Sequence, residues 1–189
     1  MTHLLTKRLI LRRWRENDRV PFARMNADAE VMAWFPAPLS RTDSDALADR
    51  IEAHFDHKGF GLWAVEIPSV ASCAGFIGLS VPSFDAPFTP CVEIGWRLAR
   101  PCWGRGYATE GARRVLDHAF GTLDMDEIVS FTATGNIRSR TVMERLGMSR
   151  DPSDDFGHPA LPPDHELADH VLYRLARSRY SANTAALSP

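Results

Sequence analysis

The chain has 189 residues, 44% of them hydrophobic and 24% charged, with a net charge of −2. That length allows one domain with a substantial core, and the near-neutral charge supplies no basic field for nucleic acid. No apolar stretch is long enough to span a bilayer, and residues 1–8 hold no apolar run before a cleavage site, so a cytoplasmic protein is expected.

In chain order, Leu9-Ile10-Leu11 reads as a first strand. Residues 18–33 are expected to be helical, with Phe22 and Met25 inward and Pro21 in the first turn. A break rich in aromatics and prolines follows at residues 34–38. Thr42 and Asp45 have the spacing of a capping box. They would open a helix whose inner stripe is Leu47, Ile51, His54 and Phe55, ended by Gly59-Phe60-Gly61. Residues 62–67 and 75–79 read as strands joined by a turn at Pro68 and Ser69, a hairpin. Residues 82–90 carry Pro82, Pro87 and Pro90 and form a loop. Phe84, Asp85 and Phe88 in this loop either line a substrate mouth or simply anchor it.

Residues 92–120 carry most of the information. Val92, Ile94, Trp96 and Leu98 alternate with Glu93, Gly95 and Arg97, the period of a strand. Gly104 and Gly106 flank Arg105. Tyr107, Ala108, Gly111, Ala112, Val115, Leu116, Ala119 and Phe120 then fall on one helical face, with Thr109, Glu110, Arg113, Arg114, Asp117 and His118 opposite. A glycine pair at a helix start leaves free N–H donors at the positive end of the helix dipole, a place to hold phosphate. A bare Gly-x-Gly is also compatible with a tight turn and no ligand. The loop is neither a P-loop nor a dinucleotide fingerprint.

Residues 128–133 form the next expected strand, and Asn136 is a good N-cap for a short helix ending at Gly147. Its basic side chains, Arg138, Arg140 and Arg145, either form a solvated face with Arg140 paired to Glu144, or touch a phosphate. Residues 151–168 read as a long loop, and His170 to Leu175 close the sheet. A single domain over residues 1–177 and a flexible tail over 178–189 are expected. Cys73, Cys91 and Cys102 show no metal-ligand spacing. Cys73 and Cys91 open neighbouring strands, with buried reduced thiols the expected state. Cys102 lacks a visible base to make it a nucleophile.

Gly104-Arg105-Gly106-Tyr107-Ala108, together with Asn136-x-x-Ser139 and Gly147, resembles the two cofactor segments of the GCN5-related N-acetyltransferase (GNAT) superfamily. Thr6 to Arg12, Ile94-Gly95-Trp96, Trp103 to Glu110 and His170 to Tyr173 resemble its branch that includes the ribosomal-protein alanine acetyltransferases. The resemblance implies an α/β (α+β) fold with a mixed, mostly antiparallel central sheet flanked by helices on both faces. It also implies acetyl-CoA as cosubstrate and no metal. Pantetheine would lie between splayed strands 92–98 and 128–133, against the backbone of Leu98 and Ala99. The N–H groups of Gly104, Arg105, Gly106 and Ala108 would cradle the pyrophosphate, and Asn136 would reach the cofactor from the second segment.

The implied reaction is attack of a primary amine, on a peptide N-terminus or a small molecule, on the thioester. Such amines are mostly protonated at pH 7, so a proton must be removed. Glu93 is the candidate base, with a surface pair to Arg97 or a water relay as the alternatives. The family often has a tyrosine seven residues after the asparagine to protonate the leaving thiolate, and this chain has Met143 there. Ser139 is the natural substitute. Three residues before Gly104, where the family often has Gln or Arg, stands Pro101, next to Arg100. The alternative function is a regulatory domain that binds acetyl-CoA without turnover. The expected partners are an amine substrate, no nucleic acid and no membrane, and the chain is expected to be a monomer or homodimer.

Overall fold

The computed structural model describes residues 3–185. It divides into two compact units, residues 1–80 with 95–115, and residues 81–94 with 116–189.

The first unit opens with a short hairpin. β1 (Leu4–Leu5) pairs antiparallel with β2 (Ile10–Arg12), Leu4 opposite Leu11. The sequence shows only the second of these strands, because two residues are too few to carry a period. α1 is Arg19–Asn26, shorter than the helix expected over 18–33. The Asp28 carboxylate accepts the N–H groups of Glu30 and Val31, and Leu39 N–H closes onto the Asn26 carbonyl. Those local bonds replace the ladder that would have continued the helix. α2 is Arg41–Lys58. Its cap is Ser40, not Thr42: the Ser40 hydroxyl oxygen accepts Asp43 N–H and the hydroxyl donates back to the Asp43 carboxylate.

β3 (Leu62–Glu66) and β4 (Gly75–Ser80) form the expected antiparallel hairpin. β2 pairs with β3, Leu11 opposite Val65. α3 (Tyr107–Gly121) meets this layer at Gly111. A Cβ there would lie 2.5 Å from Ile77 Cδ1 and 3.2 Å from Leu9 Cδ1, so a larger residue would require the tips of those side chains to shift. Leu9, Leu11, Phe22, Ile77 and Leu79 are fully buried around it, each contributing about 1.5–3 kcal/mol of apolar burial. Arg12 is also buried, with all five N–H groups satisfied by Asp18, Glu66, Arg13 O and Ser72 O. The hydrogen bonds it donates to Asp18 lead in holding its pKa above the ordinary arginine range.

The second unit is centred on β9 (Asp169–Ala176). β9 runs antiparallel to β6 (Glu127–Ala133), from Glu127 opposite Ala176 to Ala133 opposite His170. β7 (Ser149–Arg150) and β8 (Phe156–Gly157) also pair with β9. The stretch 151–168, expected as a loop, therefore contains a strand, and Leu167 and Ala168 are buried. α4 is Ile137–Arg145. The expected tail begins as a helix, α5 (Arg177–Ala185). Tyr180 in it packs 5.1 Å from the Phe120 ring and donates to Asp117. Residues 186–189 of that expected tail lie outside the described residues. His118, placed by periodicity on the polar face of α3, is buried.

With β5 (Glu93–Leu98), the described residues form a nine-stranded sheet in the order β1-β2-β3-β4-β5-β6-β9-β7, β8 lying off this path on β9. It is mixed and mostly antiparallel. The parallel pair is β5 with β6, Glu93 opposite Val129.

Candidate active site

The first unit holds the glycine loop. Gly104 and Gly106 have φ of +71° and +79°, the left-handed region that glycine enters without cost. Alternating the backbone in this way points successive N–H groups to one side, the geometry of an anion nest. Among the described residues, no backbone bond is donated by the N–H groups of Gly104, Arg105, Gly106, Tyr107, Ala108 or Thr109. The first pairing is Glu110 N–H to Gly106 O. Six undirected donors thus stand at the N-terminus of a 15-residue helix, where the dipole favours an anion. Gly104, Arg105 and Gly106 are all exposed.

The loop is braced by residues whose role the sequence does not reveal. Glu110 accepts from Thr6 Oγ1, Arg8 N–H and Arg8 Nε, at 2.6, 2.9 and 2.6 Å. Arg8 Nη1 donates to the Arg105 carbonyl at 2.9 Å, and the guanidinium sits 4.6 Å from the centre of the Tyr107 ring. Burial pulls the Glu110 pKa upward, but the bonds from Thr6 and Arg8 outweigh it and leave it below the usual carboxylate range. A hundred residues separate these partners, so no local pattern links them.

Leu98 ends β5 and Ala99 follows it. The Leu98 carbonyl accepts Trp103 Nε1 at 2.7 Å. Ala99 donates its N–H to Ala74 O, and its carbonyl accepts Cys102 N–H. A further amide at these carbonyls would use their second lone pairs. Arg97 bonds Asn26 Oδ1 at 2.7 Å and lies over Phe35 and Phe76. Burial pushes its pKa down to about 10. Arg100 pairs with Glu30 at 2.7 Å. The three cysteines are free thiols. Burial raises Cys73 and Cys91 to about 11, and it raises Cys102 against the opposing charge of Arg105. None is an activated nucleophile at neutral pH.

In the second unit Glu93 stands at the start of β5, and Asn136 and Ser139 follow the far end of β6 at the head of α4. Glu93 is half-buried opposite Val129. The Ile94 carbonyl is taken by the Ser130 hydroxyl at 2.9 Å. Asn136 caps α4 as expected: its Oδ1 accepts Ser139 N–H at 3.2 Å, and its Nδ2 donates to Thr132 Oγ1 at 2.9 Å. The Ser139 hydroxyl has no hydrogen-bond partner among the described residues. Met143 is 1% exposed and belongs to the core. The Arg140–Glu144 pair is not formed, since Arg140 donates to Thr134 O and Glu144 accepts the Tyr173 hydroxyl.

Among the described residues no His, Cys, Asp and Glu group could hold a metal ion, and no helix is long and apolar enough to cross a membrane. Residues 8–149 match the family model described as Acetyltransferase (GNAT) domain. The chain is 25% identical over 179 residues to the protein named "Uncharacterized N-acetyltransferase YnaD" of Bacillus subtilis, covering 95% of this chain and 99% of that one. It is 36% identical over 82 residues to YdaF of the same organism, provisionally named a ribosomal N-acetyltransferase, over 43% of this chain and 45% of YdaF. In fold it is similar to the spermidine N-acetyltransferase of Vibrio cholerae, solved with CoA and spermine, with a TM-score of 0.71 and 19% identity over 92% of this chain and 98% of that one. A nest of undirected N–H groups on the motif loop and a family match over most of the chain agree: the protein belongs to the GNAT acetyltransferase family and is an acetyl-CoA-dependent N-acetyltransferase.

Proposed function

We propose that the protein moves an acetyl group from acetyl-CoA to the primary amine of a small molecule or a peptide N-terminus by direct attack on the thioester. The observation that carries this reading is the row of six undirected N–H groups from Gly104 to Thr109. The loop suits a pyrophosphate: it offers donors and the cation of Arg105, and the ideal Cβ of Gly104 would meet nothing within 4 Å. Gly104, Arg105, Gly106 and Ala108 take the pyrophosphate, and Leu98 and Ala99 take pantetheine amides. Asn136 belongs to the same assignment on the strength of the family's two-segment pattern, and its side chain also holds the helix cap.

Glu93 accepts the amine proton, directly or through water. The nitrogen lone pair forms the C–N bond, the C–S bond breaks, and the thiolate is protonated through the Ser139 hydroxyl, which recovers its proton from solvent in the same relay. The support for Ser139 is a hydroxyl with no competing bond on the first turn of α4. The support for Glu93 is its half-buried place on the motif strand. A cytoplasmic location is part of the same reading.

The test is thiol release from acetyl-CoA across a panel of amines and N-terminal peptides, with calorimetry of CoA binding. Gly106→Val imposes positive-φ strain of about 1–2 kcal/mol, and Arg105→Glu sets a like charge beside phosphate. Both are expected to weaken CoA roughly tenfold or more while remaining folded. Unchanged affinity in both removes the loop assignment, and binding without turnover on any amine removes the catalytic one.

A further inference from the structure

The second unit carries a cluster of six aromatic rings that its core does not use. Phe84 and Phe88 come from the loop before β5, Phe131 from β6, Phe156 from β8, His158 from the turn after it, and His170 from β9. Phe156 is the hub. Its ring centre lies 4.7 Å from Phe88, 5.7 Å from Phe131, 5.6 Å from His170, and 6.3 Å from both Phe84 and His158. Phe84 lies 4.8 Å from His158, and His158 lies 4.9 Å from His170.

Two facts separate this cluster from ordinary packing. First, every ring in it is half-buried, whereas Phe22, Phe55, Phe60, Phe76 and Phe120 are each at most 9% exposed. Six rings that touch one another yet all keep accessible surface form a lining. Second, Phe156 and His170 also line a cavity of about 290 Å³ with Thr134, Asp155, Gly157 and Asp169. The lining is held in place before any ligand arrives. Thr89 bonds back to Ala86 across the first loop, and His158 N–H donates to Ala168 O.

The charges indicate what fits. Burial lowers the pKa of both histidines and so disfavours their cationic forms. Asp155 is spent on Arg150, which donates from both Nε and Nη2. Asp169 pairs with no cation among the described residues. An open carboxylate at Asp169 beside many ring faces suits an ammonium on an apolar, flat body. A polycation would need several carboxylates, and a peptide would leave the rings largely unused.

We infer that the ring cluster around Phe156 with Asp169 is the acceptor-binding site, and that it takes an arylalkyl monoamine. This rests on the acetyltransferase reading above. The aryl group lies among Phe84, Phe88, Phe131 and Phe156, and the ammonium meets Asp169 on arrival and is deprotonated later.

The experiment compares 2-phenylethylamine, spermidine and an alanyl peptide at saturating acetyl-CoA, following thiol release and confirming product by mass. The expected result is a kcat/KM for 2-phenylethylamine at least tenfold above the other two. Phe156→Leu, which keeps apolar volume and removes the ring, raises its KM about tenfold with CoA affinity unchanged, and Asp169→Asn raises KM severalfold. A preference for spermidine or the peptide, or a KM insensitive to both substitutions, overturns the inference and leaves the acetyltransferase reading standing. Failure to bind CoA or to turn over any amine overturns that underlying reading instead. Calorimetry of 2-phenylethylamine on the CoA-saturated protein reads the site without turnover: binding that Phe156→Leu weakens supports the inference, and no binding counts against it.

Discussion

The glycine loop at the head of α3 and the ring cluster around Phe156 are built on opposite plans. The loop works through backbone. Its donors are main-chain N–H groups aimed by two positive φ angles, and the side chains at Gly104 and Gly106 are absent. The cluster works through side chains brought from residues 84, 88, 131, 156, 158 and 170. A site made of consecutive backbone must be written as a contiguous motif. A site made of side chains is free to scatter through the chain. The first plan suits the cosubstrate every family member shares, and the second suits an acceptor that varies.

The chemical step tests how far this division holds, because it depends on single side chains in the second unit. Glu93→Gln keeps shape and removes basicity. The rate at neutral pH is expected to fall on the order of 10²-fold, recovering in part as pH rises and free amine accumulates. A pH–rate profile of wild-type height and shape would leave Glu93 a structural residue. Ser139→Ala is expected to lower kcat roughly tenfold with little change in CoA affinity, since its bond strengthens only as charge develops on sulfur. Unchanged kcat at saturation would assign the proton to water.

Glu110→Gln tests the claim that the loop is a backbone device. If Thr6 and Arg8 hold the Arg105 carbonyl through Glu110, the substitution weakens CoA binding severalfold and lowers stability by about 1 kcal/mol. The figure stays small because Arg8 is 43% exposed and water screens the pair. Loss of stability without loss of affinity would confine Glu110 to the hairpin. The smallest effect concerns the cluster. His158 and His170 have pKa values lowered in the folded state, mainly by burial. Below the ordinary histidine value the unfolded chain therefore binds more protons than the native one. Stability from this pair is intact above that value and declines as pH falls through it towards the folded values. His158→Gln with His170→Gln should show a shallower loss of Tm between pH 7.5 and 5.5 than wild type. Equal slopes would place the acid loss elsewhere.

What the sequence conveys follows the same line. The strand at β5, the glycine turn, α3 and the Asn136 cap are all readable because period and cap act over a few residues. The Ser40 cap, two positions upstream of the expected one, is a local choice between two similar hydroxyl residues, decided by which one meets Asp43. The brace from Arg8 to Glu110 and the gathering of rings at Phe156 are set by tertiary packing, which no local spacing encodes. Phe84 and Phe88 are visible only as candidates for a substrate mouth, because their partners come from residues 131 to 170. Likewise β8 is two residues long, and pairing with β9 rather than intrinsic propensity makes it a strand.

At Gly104 an added Cβ would meet nothing within 4 Å, and at Gly106 only Arg8 Nη2 at 3.5 Å. Room is therefore not what keeps these positions as glycine. The obstacle is handedness, because the backbone turns there in the sense that suits a mirror-image residue. Chemical synthesis with a D-amino acid at either position would not meet the backbone strain that any of the other coded residues incurs. Mutational tolerance in this loop is limited by chirality before any ligand enters, and a saturation scan scored on folding alone should already reveal both positions.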